Sequence, residues 1–272
     1  MSYEDFLKLV STMSPDGKFS FGVNWTDYVK FRVTDDIVNL HAANLKNCYS
    51  NYDFTNKSVL DIGCGSGLSS LSFNMLGCKD LTSVDVDIHS IEATHILKNK
   101  FAKLISSSCT WIIENQSILN TDYVKSSKQY DLVYSWGVLH HTGDMWTAIK
   151  NASALVKPGG ILHLALYISG TKYSEDLHLK HIYNLCDDSN KKLLIYNWLY
   201  THYISKGVDI FQTNHRGMNK YNDCIDWLGG LPYEVCDPDI LDCYLNKHQF
   251  DRQFYKHAGQ GGNFIVIYKK QL

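Results

Sequence analysis

Val59-Leu60-Asp61-Ile62-Gly63-Cys64-Gly65-Ser66-Gly67 is the stretch on which the fold turns. It opens as a short apolar run suited to a buried parallel strand and ends in glycines at alternate positions. A helix-compatible run, Leu68 to Leu76, follows at once. Strand, glycine turn and helix start make a nucleotide cradle, because a helix N-terminus offers unpaired N–H groups and glycine lets a ligand approach the backbone. A bare glycine motif serves a dinucleotide enzyme or a mere tight turn equally well. Asp61 tilts the balance. A carboxylate at the tip of the first strand repels a pyrophosphate and suits a ligand bearing an ammonium group.

Downstream, strand and helix alternate. Leu81 to Val86 reads as a second strand ending in acid. Asp85 lies about 20 positions past Gly65, the spacing at which a carboxylate reaches ribose hydroxyls in a doubly wound fold. Ile88 to Phe101 predicts a helix, Cys109 to Ile113 a third strand and Glu114 to Leu119 the loop at its end. Tyr130 to Tyr134 is a fourth strand, leading into Ser135-Trp136-Gly137-Val138-Leu139-His140-His141. Met145, Ile149, Ala152 and Val156 have helical spacing. Lys157-Pro158-Gly159-Gly160 is expected to stop that helix before a fifth strand, Ile161 to Tyr167. Such alternation implies right-handed crossovers and one parallel sheet.

From Ser169 to about Val235 the rhythm gives way to helical, polar and aromatic sequence, expected to form an insertion or cap. Asp237-Pro238 opens a further helix through about Lys247. Asp251 to His257 and Phe264 to Lys269 have strand character, and their glycine-rich link favours an antiparallel hairpin at the sheet's edge. Upstream of the cradle, Phe19 to Trp25 reads as an ordered aromatic loop. Thr34 is the expected N-cap of a helix with Asp35 and Asp36 in its first turn. Ile37, Leu40 and Leu45 are expected on its apolar face. The organisation expected is a preamble (1–57) packing on the core, a cofactor-binding core (58–168), a helical insertion (169–235), and a final helix and hairpin (236–272) that complete the sheet.

The 272-residue chain is long enough to bury a substantial core. A hydrophobic fraction of 44% with 20% charged residues is ordinary for a soluble globular protein. A formal net charge of −2 supplies no global basic field, so no nucleic-acid partner is expected. Eight scattered cysteines without a Cys-x-x-Cys pair argue against a zinc site and for reduced thiols, hence a cytoplasmic location. No apolar stretch approaches the roughly 20 residues needed to cross a bilayer, and no membrane partner is expected.

These residues together resemble the class I S-adenosylmethionine-dependent methyltransferases. The resemblance covers Val59 to Tyr167 and the closing hairpin. It rests on Asp61 to Gly67, on Asp85, and on Lys157-Pro158-Gly159-Gly160 before the fifth strand. It implies a seven-stranded, mostly parallel Rossmann-like sheet whose last strand lies antiparallel beside the fifth. A narrower likeness runs through Phe19–Trp25, Trp136–Thr142, Arg216–Met218, Asp226–Val235 and Gly259–Asn263. It is to a bacterial group of small-molecule methyltransferases that often accompany surface-polysaccharide or specialised-metabolite pathways.

By that resemblance S-adenosylmethionine is the cofactor, S-adenosylhomocysteine the product and a small molecule the acceptor. Asp61 would hold the methionyl ammonium, and Gly63, Cys64, Gly65 and Gly67 would lay backbone against the ligand. Asp85 would take the ribose hydroxyls, Val86 would pack on adenine, and Gln116, Ser117 and Ile118 would meet its amino group. Trp136 and Gly137 would line the methionine portion, and Asn24 and Trp25 would close over cofactor or acceptor. The electrophile is already activated, so no metal is required. A hydroxyl acceptor benefits from a base, and His140 is favoured slightly, with His141 as the alternative. Tyr28, His215, Arg216, Asp226 and Trp227 are the acceptor-side candidates. Arg216 would clamp a phosphate or carboxylate, or pair internally with Asp223 or Asp226.

The leading expectation is methyl transfer to a hydroxyl of a sugar, sugar nucleotide or related phosphorylated metabolite. An RNA methyltransferase is opposed by the charge balance. Ser135-Trp136-Gly137-Val138 also lacks the Asn/Asp-Pro-Pro-Tyr/Phe signature of base and glutamine N-methylation. A catalytically silent cofactor-binding subunit and an NAD-dependent dehydrogenase complete the field.

Overall fold

The computed structural model describes residues 21–49, 52–212, 219–257 and 262–272. β1 (Ser58–Ile62) is buried at every position, as a strand covered on both faces must be. β2 (Asp80–Asp85), β3 (Thr110–Asn115), β4 (Tyr130–Trp136) and β5 (Val156–Tyr167) join it in parallel. β6 (Phe250–Lys256) and β7 (Asn263–Lys270) close the chain as an antiparallel pair. The order is β3-β2-β1-β4-β5-β7-β6, with β7 antiparallel to β5. This is the doubly wound sheet expected from the sequence. The winding reverses between β1 and β4, which opens a ligand crevice at their carboxyl ends.

Helices cover both faces. α1 (Phe21–Phe31), α2 (Asp35–Cys48), α3 (Leu68–Met75) and α4 (Ile88–Lys100) bury Val29, Val38, Leu71 and Leu97 against one side. α5 (Thr121–Ser126), α6 (Met145–Ala154) and α10 (Pro238–Lys247) cover the other, where Ile149 and Leu241 meet Leu164 and Val266. Between β5 and α10, α7 (Tyr173–Leu185), α8 (Asp188–His202) and α9 (Lys220–Gly229) gather around a small core that includes Tyr183, Leu199 and Leu228. Thr34 caps α2 by accepting from Ile37 N, and Asp237 caps α10 by accepting from Asp239 N and Ile240 N. Among the described residues no helix is long and apolar enough to cross a membrane.

Three local expectations need correction. From Phe21 onward the aromatic stretch is a helix rather than a loop. Gly22 serves close approach: a Cβ there would lie 2.3 Å from His89 Cβ, and its N–H donates to Asp87 Oδ2 at 2.9 Å. On α2, Ile37 and Leu45 are buried, but Leu40 is 45% exposed, and Val38 and Ala42 complete the inward face. Helix α6 stops at Ala154, and Val156 already pairs with Tyr130 in β5. Lys157-Pro158-Gly159-Gly160 therefore lies inside β5, in the irregularity between the Tyr130–Val156 and Leu132–Ile161 pairs. A Cβ on Gly160 would come within 2.9 Å of Lys157 O and 3.0 Å of Asp131 O. The glycine there answers a crowded bulge, not a helix stop.

Candidate active site

A cleft of about 1510 Å³ runs over the carboxyl ends of β1, β2 and β4. One drug-sized ligand fills roughly 300–1,000 Å³, so cofactor and acceptor fit together. Its cradle wall is the β1–α3 turn, where Gly63 has φ +72° and Gly65 φ +54°. Both conformations favour glycine, and a Cβ on Gly63 would lie 2.3 Å from Val138. Trp25 lies over Gly65, with its Nε1 3.1 Å from where a Cβ would stand. Gly67 is at the N-cap of α3, packed on Thr94 and outside the cleft lining.

Asp61 is 2% exposed, and its Oδ2 accepts from Ser70 Oγ at 2.5 Å. The Ser70 and Ser83 hydroxyls lie 2.6 Å apart, and Trp111 Nε1 donates to Ser83 Oγ at 2.8 Å. An indole N–H only donates, so the relay runs one way, from Trp111 through Ser83 and Ser70 to the carboxylate. Burial lifts the Asp61 carboxyl to about 7 against the Ser70 bond, and the Asp85 charge adds to the rise. An ammonium beside it would favour the ionised form. Asp85 Oδ1 accepts from Asp87 N at 2.9 Å and Oδ2 from Gly65 N at 3.0 Å. Burial raises this carboxyl also, and both backbone bonds oppose the rise. The two bonds aim the carboxylate while leaving each oxygen a further lone pair.

Val86, Ser117, Cys64, Trp136 and Gly137 line the cleft. Gln116 and Ile118 do not: the Gln116 side chain faces Asn120, and Ile118 is buried beneath Asn151, which donates to its carbonyl. Asn24 does not line it either, because its amide is committed to α9. It donates to Asp226 Oδ1 at 2.8 Å and accepts from Asn222 Nδ2 at 2.5 Å.

The two adjacent histidines separate sharply. His140 is fully buried, and its Nδ1 accepts from Tyr167 N at 3.1 Å, so the neutral ring carries its proton on Nε2. The preference for it as acceptor-side base is therefore corrected: it braces β5 and stays out of the cleft. His141 lines the cleft, and its Nδ1 lies 2.6 Å from Pro232 O. A carbonyl only accepts, so Nδ1 bears the hydrogen and Nε2 is the basic nitrogen. Burial lowers its pKa to about 4, the Pro232 bond opposes and the nearby Lys180 charge lowers it further, so the ring is neutral at neutral pH.

Tyr28, Asp226 and Trp227 also line the cleft, while His215 and Arg216 lie outside the described residues. Burial raises Asp226 to about 8, opposed by the Asn24 bond. Lys180 of α7 carries no recognisable sequence signal. It is fully buried, its Nζ donates to Trp227 O, and it stands 4.5 Å from the Trp227 ring and 4.7 Å from that of Tyr233. Burial lowers it to about 7, opposed by Asp176 and Asp226. Asn263, the first residue of β7 and opposite Tyr167, reaches over Gly137 and also escaped sequence reading as an individual residue.

A donor with an ammonium and a ribose diol finds an acid for each at the tips of β1 and β2, on the sheet of the S-adenosylmethionine-dependent methyltransferases. Within that class the chain belongs to the family described as a methyltransferase domain, whose model matches residues 38–212, more than half of its length. S-adenosylmethionine is its cofactor and S-adenosylhomocysteine the product; the dehydrogenase alternative falls. Curated relatives include a ubiquinone biosynthesis O-methyltransferase from Pelagibacter ubique, 27% identical over 60% of this chain and 62% of that protein. Another from Vibrio vulnificus is 31% identical over 38% of this chain and 41% of its own length. The matches thus span less than two thirds of these relatives. Among solved structures, a magnesium protoporphyrin IX methyltransferase from Synechocystis PCC 6803 shares the fold at TM-score 0.52. It is 14% identical, with 98% of this chain and 94% of that one covered. An O-methyltransferase family protein from Burkholderia thailandensis does so at TM-score 0.53, 11% identity, and 98% and 69% coverage.

Proposed function

We propose that this protein transfers a methyl group to a hydroxyl oxygen of a small-molecule acceptor: a sugar, sugar nucleotide or related phosphorylated metabolite. The observation that carries the reading is the His141 Nδ1 bond to Pro232 O, which leaves Nε2 as a neutral base on the cleft wall. The curated relatives, named as O-methyltransferases, agree with an oxygen acceptor. A sugar is supported by the insertion's contribution to the cleft. Trp198 and Trp227 line it together with the carboxyl groups of Asp223 and Asp226, a mix of apolar rings and hydrogen-bonding groups matched to the C–H faces and hydroxyls of a sugar. Residues 169–235 act in this reading as the acceptor-selecting cap.

The bound donor supplies an activated sulfonium methyl for in-line displacement by the acceptor oxygen. The chain's task is alignment, worth roughly 7–11 kcal/mol for well-oriented reactants. Asp61 would hold the ammonium end and Asp85 the ribose, and Gly137 adds no side chain to the cleft wall it lines. His141 Nε2 takes the hydroxyl proton as the carbon–oxygen bond forms, a contribution of about 10²–10⁴-fold. The test is a screen of hydroxylated candidates, with S-adenosylhomocysteine release as signal and the methylated product located by NMR. Release confined to carboxyl or amine acceptors would overturn the hydroxyl assignment.

A further inference from the structure

The cleft does not end at the donor. Two cross-strand rows continue it along the face of the sheet that α2 covers. In the first, Trp136, Ala165, Ile265 and Lys256 stand in register across β4, β5, β7 and β6. In the second, Tyr134, His163, Ile267 and Phe254 do the same. Residues paired directly across strands share a face, so the rows form one platform leading from the donor wall to the sheet's edge.

Its inner part is closed over: His163 and Ile267 are buried, Tyr134 shows only its edge to the cleft, and Tyr49 at the end of α2 bonds His163 Nδ1. Its outer part is open: Trp136 and Ile265 are half-buried, Phe254 is 42% exposed and Lys256 is exposed. All four line the same cleft as Asp61 and Asp85. From α2, Asn44 and Cys48 form the facing wall, and the Lys256 charge is close enough to act on the Cys48 thiol. Among the described residues Lys256 has no carboxylate partner. Partly exposed apolar side chains that continue a ligand cleft and end at a cation fit an occupant that is apolar along its length and anionic at its tip.

We propose that this platform is a subsite for the far end of the acceptor, a flat apolar group bearing an anion that Lys256 pairs. The inference rests on the methyl-transfer reading above, because only there does the row beginning at Trp136 start beside the donor. It narrows the acceptor to a molecule with two dissimilar ends: hydroxyl-rich toward the insertion, apolar and anionic toward β6.

The test uses the full chain saturated with S-adenosylhomocysteine. 1-Naphthoate, 1-naphthyl phosphate and uncharged 1-naphthylmethanol are titrated by calorimetry against the parent, Lys256→Glu and Phe254→Ser. The parent should bind an anionic probe more tightly than the alcohol. Lys256→Glu should weaken that probe by about tenfold or more, as expected for losing a charged partner, and Phe254→Ser should weaken all three probes. Comparing naphthoate with the phosphate distinguishes a carboxylate from a phosphate tip. No binding of any probe, or binding indifferent to both substitutions, overturns the subsite. Both variants alter exposed side chains, and their S-adenosylhomocysteine affinity should equal the parent's. Failure of the parent to bind S-adenosylhomocysteine would instead overturn the methyl-transfer reading.

Discussion

Asp61 sets two demands against each other. Its carboxyl is pushed to about 7 by burial, against 3.8 for the unperturbed group, so the ligand-free folded state holds a proton that the unfolded chain has released. Between those values the Asp61 contribution to stability falls as pH rises, being greatest at the acid end and lost through about 7. Asp61→Asn removes the ionisation while leaving Ser70 an oxygen to bond. The variant's melting temperature should gain on the parent's between about pH 5 and about pH 8, the direction set by linkage. Its affinity for S-adenosylhomocysteine should drop about 10- to 100-fold, the scale of a lost charged hydrogen bond. Unchanged affinity by calorimetry would remove the ammonium role. The histidines make a second contrast. His141→Ala should lower kcat by about 10²–10⁴-fold with little change in melting temperature. His140→Ala should cost about 1–3 kcal/mol of stability by stranding the Tyr167 N–H, read as a shifted denaturant midpoint. Equal kinetic losses in both would refute the division of roles.

Between elements, the seam that positions the insertion's side of the cleft is α7 against α9. Lys180 Nζ donates to Trp227 O and Asn184 Nδ2 to Gly229 O at 3.2 Å, so α7 supplies both donors and a cation to the last turn of α9. Lys180→Met should cost about 1–3 kcal/mol by leaving a buried carbonyl unmet. The Lys180 charge also depresses His141. Its loss should move the acid limb of the kcat/KM profile to higher pH, which a purely structural role would not do. Lys180→Arg should keep that limb near the parent's position. Sequence legibility follows the same division. β1, its glycine turn and Asp85 were readable because strand, turn and acid are consecutive or at fixed spacing. The helical start at Phe21 was not, because Gly22 answers a contact with His89, distant in sequence. Neither was the fate of His140 and His141, whose partners Tyr167 and Pro232 come from separate segments. Lys180 was invisible for the same reason: its meaning lies in rings and a carbonyl contributed by other elements.

At the scale of the whole molecule, the insertion meets the core through α1 and through the segment after β4, where Glu234 N donates to His140 O and His141 Nδ1 to Pro232 O. The cap has its own buried cluster, including Tyr183, Ile195, Leu199 and Leu228. Its two ends come together where Tyr173 stacks on Tyr233 at 5.5 Å between ring centroids, and Ser169 N donates to Cys236 O at 2.9 Å. Asn24 links α1 to Asp226 and Asn222, and Arg32 lies 5.9 Å from the Phe211 ring. Asp61, Asp85 and their hydrogen-bond partners all belong to segments outside the cap. Replacing residues 174–231 by a short glycine linker keeps Tyr173, Tyr233 and the Pro232 carbonyl that orients His141. It removes Trp198, Asp223, Asp226 and Trp227 from the cleft wall. The shortened chain should fold, show cooperative unfolding and bind S-adenosylhomocysteine with nearly the parent's affinity, because closing so short a gap adds little loop entropy. Methyl transfer to the true acceptor should be lost, while slow methyl transfer to water or small alcohols, giving methanol or a methyl ether with S-adenosylhomocysteine, is expected to persist above the uncatalysed rate. Loss of cofactor binding in a folded, shortened chain would show that the cap is part of the donor site, and acceptor selection would then have to be sought on the β5–β7–β6 platform alone.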